Sequence, residues 1–248
     1  MTYRPGLLAD FNATHDFAAL QAELPDGYAY GVFTSDLPIL HAYLLDPAIT
    51  QATAQLAAHG TASLVDRFRM LVLQQLLRST ESLDGEVWEL GVYRGGTALL
   101  IRNTMAAGPG PGQRCFRLFD TFCGLPQPDP EHDLHREGEF ADVSLDAVKA
   151  VVGADDFLDF RPGMIPHTFV GLEKSTLRFA HVDLDLYEPI AAAVEFIYPR
   201  LLPGGIMVFD DYGFATCPGA RAAVDAFCVP RRLPLVVLPT GQAFLIKR

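Results

Sequence analysis

The chain has 248 residues, of which half are hydrophobic and a fifth are charged, and its formal net charge is −11. This length and composition suit one globular α/β domain with an appendage and exclude a disordered chain. The acidic balance argues against nucleic acid as a partner, because binding to phosphates needs a basic surface. No membrane partner is expected either, since no basic amphipathic segment and no run of about 18 apolar residues is present.

The four cysteines lack the Cys-x-x-Cys spacing of redox or zinc motifs. The first residues, Met1 to Gly6, lack the apolar core of a signal peptide. We therefore expect reduced thiols in a cytoplasmic protein.

Residues 1–60 differ in amino-acid composition from the rest of the chain, because aromatic and small residues alternate there with proline and glycine. Short helices are predicted at 17–23 and 40–45, with loops between them. We interpret 1–60 as an N-terminal helical and loop appendage or lid, and 61–248 as the main domain. The aromatic residues of the appendage either line a substrate pocket or pack against that domain.

The main domain begins with a predicted helix at 63–77, where apolar residues recur at helical spacing. Strands and helices then alternate, which is typical of a largely parallel sheet with right-handed crossovers. The predicted strands are 87–90, 115–119, 160–164, 177–184, 206–209, 233–239 and 243–247, the last two forming an antiparallel closing pair. The predicted helices are 97–105, 144–152 with Ser144 as N-cap, 190–198 and 219–227.

Three connections between these elements carry clear signals. The proline and glycine of 107–112 predict a loop, and those of 203–205 predict a turn. The polar segment 126–139 is long for a connection in a compact domain, and such loops are usually lids or binding segments.

The first strand of the main domain runs through Glu89 into a glycine-rich turn, from Gly91 to Thr97. Three glycines in six positions let the backbone turn tightly and approach a ligand closely. A glycine-rich turn at this place marks a nucleotide-like site in open α/β sheets. The spacing is neither the G-x-G-x-x-G of dinucleotide enzymes nor a phosphate loop. A carboxylate at the strand end suits S-adenosylmethionine (SAM), whose amino group and ribose need acceptors.

Carboxylates also follow the other strands of the predicted sheet. Asp120 ends the second strand, where it either accepts hydrogen bonds from both ribose hydroxyls or caps the turn into Thr121. Asp183 and Asp185 close one later strand, and the pair Asp210–Asp211 closes the next. The ends of parallel strands share one edge of a sheet, so these acids converge. Clustered carboxylates repel one another, and Mg²⁺ would relieve this; the alternative is that the acids only cap helices.

The histidines point to less specific roles. His132 and His135 lie in the 126–139 loop, where each either reaches the reaction centre as a base or substrate contact or stays solvated. His181 lies in a buried strand, and we interpret it as a hydrogen-bonded core residue. No G-x-S-x-G elbow with a Ser-His-Asp order is present, so hydrolase chemistry has no support.

Four motifs in order carry a family resemblance. They are Glu-Leu-Gly-Val-Tyr-Arg-Gly-Gly (89–96), Phe-Asp-Thr-Phe-Cys-Gly-Leu-Pro (119–126), Asp-Leu-Asp-Leu-Tyr (183–187) and Leu-Leu-Pro-Gly-Gly-Ile-Met-Val-Phe-Asp-Asp-Tyr (201–212). Over residues 60–230 the chain resembles the macrocin O-methyltransferase family, which are SAM- and Mg²⁺-dependent sugar O-methyltransferases of antibiotic biosynthesis. The resemblance implies a class I SAM-dependent methyltransferase fold, which is a Rossmann-like, mostly parallel seven-stranded sheet, and methyl transfer to a hydroxyl.

The resemblance also implies roles for individual residues. The metal ligands would be Asp183, Asp210 and Asp211. As our own hypothesis, apart from the resemblance, the general base is Asp183 or His135. The implied SAM-binding residues are Thr61, Glu89, Gly91, Val92, Tyr93, Arg94, Gly95, Asp120, Thr121, Phe122, Gly124, Ser144, Met164 and Ile165. Of these, Glu89 and the Gly91–Gly95 turn would hold the methionine end, Asp120 and the residues after it the ribose, and the last three the adenine. Thr61 and Arg67 are weaker matches.

The acceptor is expected to be a small molecule with a free hydroxyl, such as a glycosylated or polyhydroxylated natural product. The family often has Trp at Tyr93 and Glu at Cys123, and both the first 60 residues and the histidine loop diverge. The alternatives are a methyltransferase of a catechol, phenol or amine, or a non-catalytic SAM-fold binding protein. A Rossmann-type oxidoreductase is disfavoured by the glycine spacing. The apolar appendage suggests a homo-oligomer.

Overall fold

The computed structural model describes residues 46–108 and 115–248. Its strands are β1 (Glu86–Leu90), β2 (Phe116–Asp120), β3 (Leu158–Pro162), β4 (Leu177–Val182), β5 (Leu201–Phe209), β6 (Leu235–Val237) and β7 (Ala243–Ile246). They form one seven-stranded sheet in the order β3-β2-β1-β4-β5-β7-β6. The first five strands pair in parallel, and β7 is antiparallel to both β5 and β6. The predicted sheet and its antiparallel closing pair are confirmed.

Helices flank this sheet on both faces. They are α1 (Pro47–Ala58), α2 (Arg67–Ser79), α3 (Gly96–Ala107), α4 (Leu145–Val152), α5 (Tyr187–Ile197) and α6 (Pro218–Cys228), with 3₁₀ turns at His167–Phe169 and Tyr198–Arg200. Side chains cap the first turns of three helices by accepting from backbone N–H groups. Asp46 caps α1, Asp66 caps α2, and Ser144 caps α4 as predicted.

Alternation along the strands divides the core between the two faces of the sheet. In β1, Trp88 and Leu90 pack with the side chains of α5 and α6, whereas Val87 packs with those of α2, α3 and α4. All six residues of β4 are buried, as expected for a central parallel strand covered on both faces. A third apolar cluster joins α1 and α2 to α3 through Ile49, Leu56, Leu99 and neighbouring side chains.

Several predicted boundaries shift by a few residues for local reasons. The helix predicted over 63–77 begins at Arg67, because Asp66 terminates the preceding segment as its N-cap. The strand predicted over 160–164 lies two residues earlier, and β4 ends at Val182 rather than at residue 184. The prediction of a turn at 203–205 is wrong, since these residues lie within β5. The N–H of Gly204 donates to the backbone oxygen of Lys247, and the N–H of Lys247 donates to the backbone oxygen of Gly205.

Some predictions fall outside the described residues. These are the helices at 17–23 and 40–45 and most of the loop at 107–112. Helix α1, which belongs to the 1–60 segment, packs on α3 within the same compact unit as the sheet. The domain boundary at residue 60 stays a prediction. None of the described helices has the length and hydropathy needed to cross a membrane.

Candidate functional site

The carboxyl ends of β1, β2, β4 and β5 open into one cavity of about 900 Å³. Its wall is formed by the turns after these strands, by residues 124–130 and by residues 163–166. The centre of the cavity lies where the strand order reverses between β1 and β4, the place at which open α/β sheets bind ligands. Its volume is near the upper end of the range of about 300–1,000 Å³ that ligand pockets cover.

The glycine-rich turn after β1 forms one side of the cavity. Gly91 and Gly95 both have left-handed backbones, with φ of +88° and +84°. A Cβ at Gly91 would lie 1.7 Å from the backbone oxygen of Asp183, so the chain after β4 passes directly against this glycine. The turn therefore needs glycine at residue 91 both for its backbone angle and for this close approach.

Asp120 ties the turn after β1 to the turn after β2. Its Oδ2 accepts hydrogen bonds from the N–H groups of Val92 and Tyr93 at 2.7 and 2.8 Å, and its Oδ1 accepts from the N–H of Phe122 at 2.7 Å. The carboxylate thus caps the turn after β2, one of its two predicted roles. Each carboxylate oxygen has two acceptor positions, so Oδ1 keeps one for a ligand in the cavity.

Behind the wall, Glu89 and His181 form a fully buried polar pair. Oε1 of Glu89 lies 3.1 Å from Nδ1 of His181, while its Oε2 has no hydrogen-bond partner among the described residues. Burial raises the pKa of Glu89. Burial alone would lower the pKa of His181, but hydrogen bonds to Asp210 and Glu89 raise that pKa to about 10. His181 is therefore the hydrogen-bonded core residue that was predicted.

Asp210 belongs to the same buried network and does not reach the cavity wall. Its Oδ1 lies 3.4 Å from Nε2 of His181 and accepts from Nε2 of Gln242 at 2.7 Å, and its Oδ2 pairs with the Arg69 guanidinium. Burial would raise the pKa of Asp210, but His181, Arg69 and Gln242 hold it below its usual range. Asp210 thus has three polar partners of its own.

Asp183 and Asp211 face the cavity instead. Their pKa values lie well above the usual range, because burial and the neighbouring carboxylates, Asp210 among them, disfavour a charge on either group. Carboxylate oxygens clustered in this way fit Mg²⁺, which binds carboxylates and keeps positions for other oxygens. His181, Asp183 and Asp210 each offer a ligand atom within 4.8 Å of one another, although Asp210 would first have to release Arg69.

The two histidines of the long loop differ in their surroundings. His135 lies on the cavity wall, with Nδ1 2.6 Å from Oε2 of Glu139 and Nε2 3.4 Å from Sγ of Cys217. His132 bonds to Asp129 at 2.7 Å and stacks on the ring of Tyr187, outside the wall. Of the two, only His135 is placed to meet a ligand in the cavity.

The structure brings nine of the fourteen expected SAM-binding residues onto the cavity wall. They are Gly91, Val92, Tyr93, Arg94, Asp120, Thr121, Gly124, Met164 and Ile165. The other five, Thr61, Glu89, Gly95, Phe122 and Ser144, are not part of it. Ser144 caps α4, and Phe122 packs in the core.

Arg69 is a wall residue that the sequence reasoning did not single out. Its guanidinium lies 4.9 Å from the ring centre of Phe214, and its Nε also bonds to Asp66 at 3.0 Å. The signal in the sequence is an arginine that follows Phe68 and precedes the apolar run Met70 to Leu73. An arginine side chain at the start of an amphipathic helix needs a charged or polar partner when the side chain is largely buried.

A family model, that of the macrocin O-methyltransferases (TylF), matches residues 50–237, which is most of the chain. The chain belongs to this family. It is 32% identical over 151 residues to an 8-demethyl-8-(2,3-dimethoxy-alpha-L-rhamnosyl)-tetracenomycin-C 4'-O-methyltransferase of Streptomyces olivaceus, covering 56% of this chain and 58% of that protein. It is 30% identical over 174 residues to a mycinamicin III 3''-O-methyltransferase of Micromonospora griseorubida, covering 64% and 67%. The chain thus spans about three fifths of the length of the first relative.

Two solved structures of methyltransferases share the fold. The O-methyltransferase NovP superposes with a TM-score of 0.68 at 24% identity over 75% of this chain and 82% of that one. The calicheamicin methyltransferase CalS11 superposes with a TM-score of 0.63 at 22% identity over 90% and 98%. The fold is accordingly the expected class I, Rossmann-like methyltransferase fold.

Proposed function

We propose that this protein is a SAM-dependent and Mg²⁺-dependent O-methyltransferase acting on a hydroxyl of a small molecule, in particular on the sugar of a glycosylated or polyhydroxylated natural product. The observation that carries the proposal is the shared cavity, in which the glycine-rich turn and Asp120 face Asp183 and Asp211. Family membership supports it, as do the names of the relatives, which are O-methyltransferases of tetracenomycin and mycinamicin compounds.

SAM would lie against the β1 and β2 ends of the cavity. The turn from Gly91 to Arg94 would hold the methionine end, Asp120 the ribose, and Thr121 and Gly124 the adjoining wall. Met164 and Ile165 would flank the adenine. The five expected residues that do not line the cavity would act indirectly, by holding the residues that do. Glu89, for example, would fix the end of β1 through its contact with His181 and so position the turn that holds the methionine end.

The metal would be held by Asp183 and Asp211, with Asp210 joining them after releasing Arg69. When bound, Mg²⁺ supplies Lewis-acid chemistry, which lowers the pKa of an acceptor hydroxyl. The high pKa values of Asp183 and Asp211 fit this role, since the charge of the ion would favour the ionised form of both carboxylates and so offset the effects of burial and of their mutual repulsion.

The residues of the chain would position the two reactants and take one proton. The acceptor oxygen would attack the methyl carbon as the bond from that carbon to sulfur breaks, leaving S-adenosylhomocysteine, and the hydroxyl proton would pass to Asp183 or His135. The Glu139 contact supports His135 as the alternative base, because it holds Nδ1 of the ring and places Nε2 beside Cys217 on the cavity wall. Holding both reactants in line supplies much of the acceleration.

The test is methyl transfer from labelled SAM to a panel of glycosides and catechols, with and without a chelator. Asp183→Asn should lower kcat by about 100-fold or more, the range for loss of a general base, while changing SAM affinity by less than about threefold. His135→Gln should lower kcat to a similar extent if it is the base. Loss of SAM affinity with unchanged metal dependence in Asp183→Asn would contradict the assigned roles.

The runner-up functions give different results in the same assay. Preference for a catechol, phenol or amine would place the chain among other acceptor classes, and SAM binding without any transfer would indicate a non-catalytic SAM-fold binding protein. We also propose a cytoplasmic location, in keeping with four free thiols, and a homo-oligomer, which light scattering of the purified protein would test.

A further inference from the structure

One cluster on the cavity wall lies outside the expected magnesium ligands. His135, Asp185 and Cys217 each place one ligand atom within 4.8 Å of the other two. They come from the long loop, the segment after β4 and the N-cap of α6. Nε2 of His135 is 3.4 Å from Sγ of Cys217 and 3.6 Å from Oδ1 of Asp185, and Sγ is 3.4 Å from Oδ1. We propose that these three residues form a zinc site with an open fourth position on the cavity.

The distances among the three atoms match those of a tetrahedral zinc ion. Bonds of about 2.0–2.3 Å at tetrahedral angles separate nitrogen, oxygen and sulfur ligands by about 3.4–3.6 Å. The observed separations of 3.4, 3.4 and 3.6 Å lie within this range. Three side-chain ligands and one open position are the pattern of zinc sites that bind water or a substrate oxygen.

Glu139 supplies the outer contact that such a site needs. Its Oε2 lies 2.6 Å from Nδ1 of His135, which leaves Nε2 of the neutral ring free as the metal ligand. Histidine ligands of zinc commonly donate their second ring N–H to a carboxylate in this way, and the contact fixes both tautomer and ring orientation. The site thus has both its direct ligands and its supporting residue.

The donor types separate this site from the magnesium carboxylates. Thiolate and imidazole select zinc and related transition metals, whereas Mg²⁺ prefers oxygen alone. On binding, Cys217 loses its thiol proton to solvent and its sulfur forms the new bond to the metal. The S–H hydrogen bond from Cys217 to Asp185 is replaced by coordination of Oδ1. Zinc would also occupy Nε2 of His135 and prevent that nitrogen from taking a proton.

The test uses Co²⁺ and Zn²⁺ as probes of the full-length protein after removal of metals. Cobalt should give the near-ultraviolet charge-transfer band of a thiolate ligand, and zinc should abolish it. Cys217→Ser and His135→Gln should each remove the band, and Glu139→Gln should weaken zinc binding by about 10-fold or more in calorimetry. Two matched variants should keep the band. Cys228→Ser changes the buried thiol at the C-terminal end of α6, and Asp183→Asn changes a proposed magnesium carboxylate.

Several results would overturn the zinc site. Absence of the band in the parent protein contradicts the proposal, and so does its persistence in Cys217→Ser or in His135→Gln. Loss of the band in Asp183→Asn would show that the metal binds at the magnesium carboxylates, and would contradict a separate zinc site. Because His135 lies on a loop, its variant keeps the test valid even if Cys217→Ser does not fold. These readouts do not depend on methyl transfer, so they stand apart from the proposed function.

Discussion

Replacing Gly91 by alanine places a Cβ 1.7 Å from the backbone oxygen of Asp183, at a residue whose φ is +88°. The left-handed backbone alone costs a residue with a Cβ about 1–2 kcal/mol. The overlap adds about 1–3 kcal/mol, since it involves main chain on both sides and no flexible side chain can move away. The free energy of unfolding should therefore fall by about 2–5 kcal/mol in Gly91→Ala.

Gly171→Ala is the matched control. Gly171 has nearly the same φ, +85°, but a Cβ there would meet no atom within 4 Å. Its loss should be confined to the backbone cost of about 1–2 kcal/mol, and its SAM affinity should equal that of the parent. Urea unfolding and calorimetric titration of SAM measure both quantities. Equal losses of stability in the two variants, with SAM affinity unchanged in Gly91→Ala, would refute the reasoning about the close approach at the turn.

Two other predictions concern the buried network behind the wall. Arg69→Met leaves the fully buried Asp210 without its guanidinium partner, so the free energy of unfolding should fall by about 3 kcal/mol. Arg231→Met breaks an exposed ion pair with Glu195 and should lower it by less than about 1 kcal/mol. Equal effects of the two substitutions in urea unfolding would contradict this. The folded pKa of His181, about 10, exceeds its unfolded value of about 6.5, so its stabilisation is complete below pH 6.5 and is lost as pH rises through 10. In chelator-treated protein, stability should fall by a few kcal/mol between about pH 7 and pH 10, and His181→Gln should flatten this slope; a parallel slope in the variant would count against a charged His181.

The fold and the location of the site follow from features that are local in the sequence. Apolar strands alternate with amphipathic helices, and the glycine-rich turn follows the first strand of the sheet. The parallel arrangement then brings Asp120, Asp183 and Asp211 to one edge, because each follows the end of its strand. These predictions needed no knowledge of how distant side chains pack.

The buried network could not be predicted in the same way, because its contacts join distant parts of the chain. Asp210 meets Arg69 from α2, His181 from β4 and Gln242 beside β7. Asp210 and Asp211 are adjacent in the sequence, but only Asp211 lies on the cavity wall. The direction that each takes is decided by these partners, none of which is close in sequence.

The contact between His135 and Cys217 has the same origin, since 82 residues separate the two side chains. The histidine was predicted as a base or substrate contact, and the cysteine as an ordinary reduced thiol. Only the folding of the long loop onto the start of α6 brings them together with Asp185. The proximity of these three side chains therefore depends on tertiary structure and could not be predicted from the sequence.

The most direct test of the central claim is calorimetric titration of SAM, followed by Mg²⁺, into the purified protein and its Asp183→Asn variant. Micromolar binding of SAM to both proteins, with binding of Mg²⁺ to the parent alone, is the predicted result. Absence of SAM binding to the parent would contradict the account, and so would equal binding of Mg²⁺ to the two proteins.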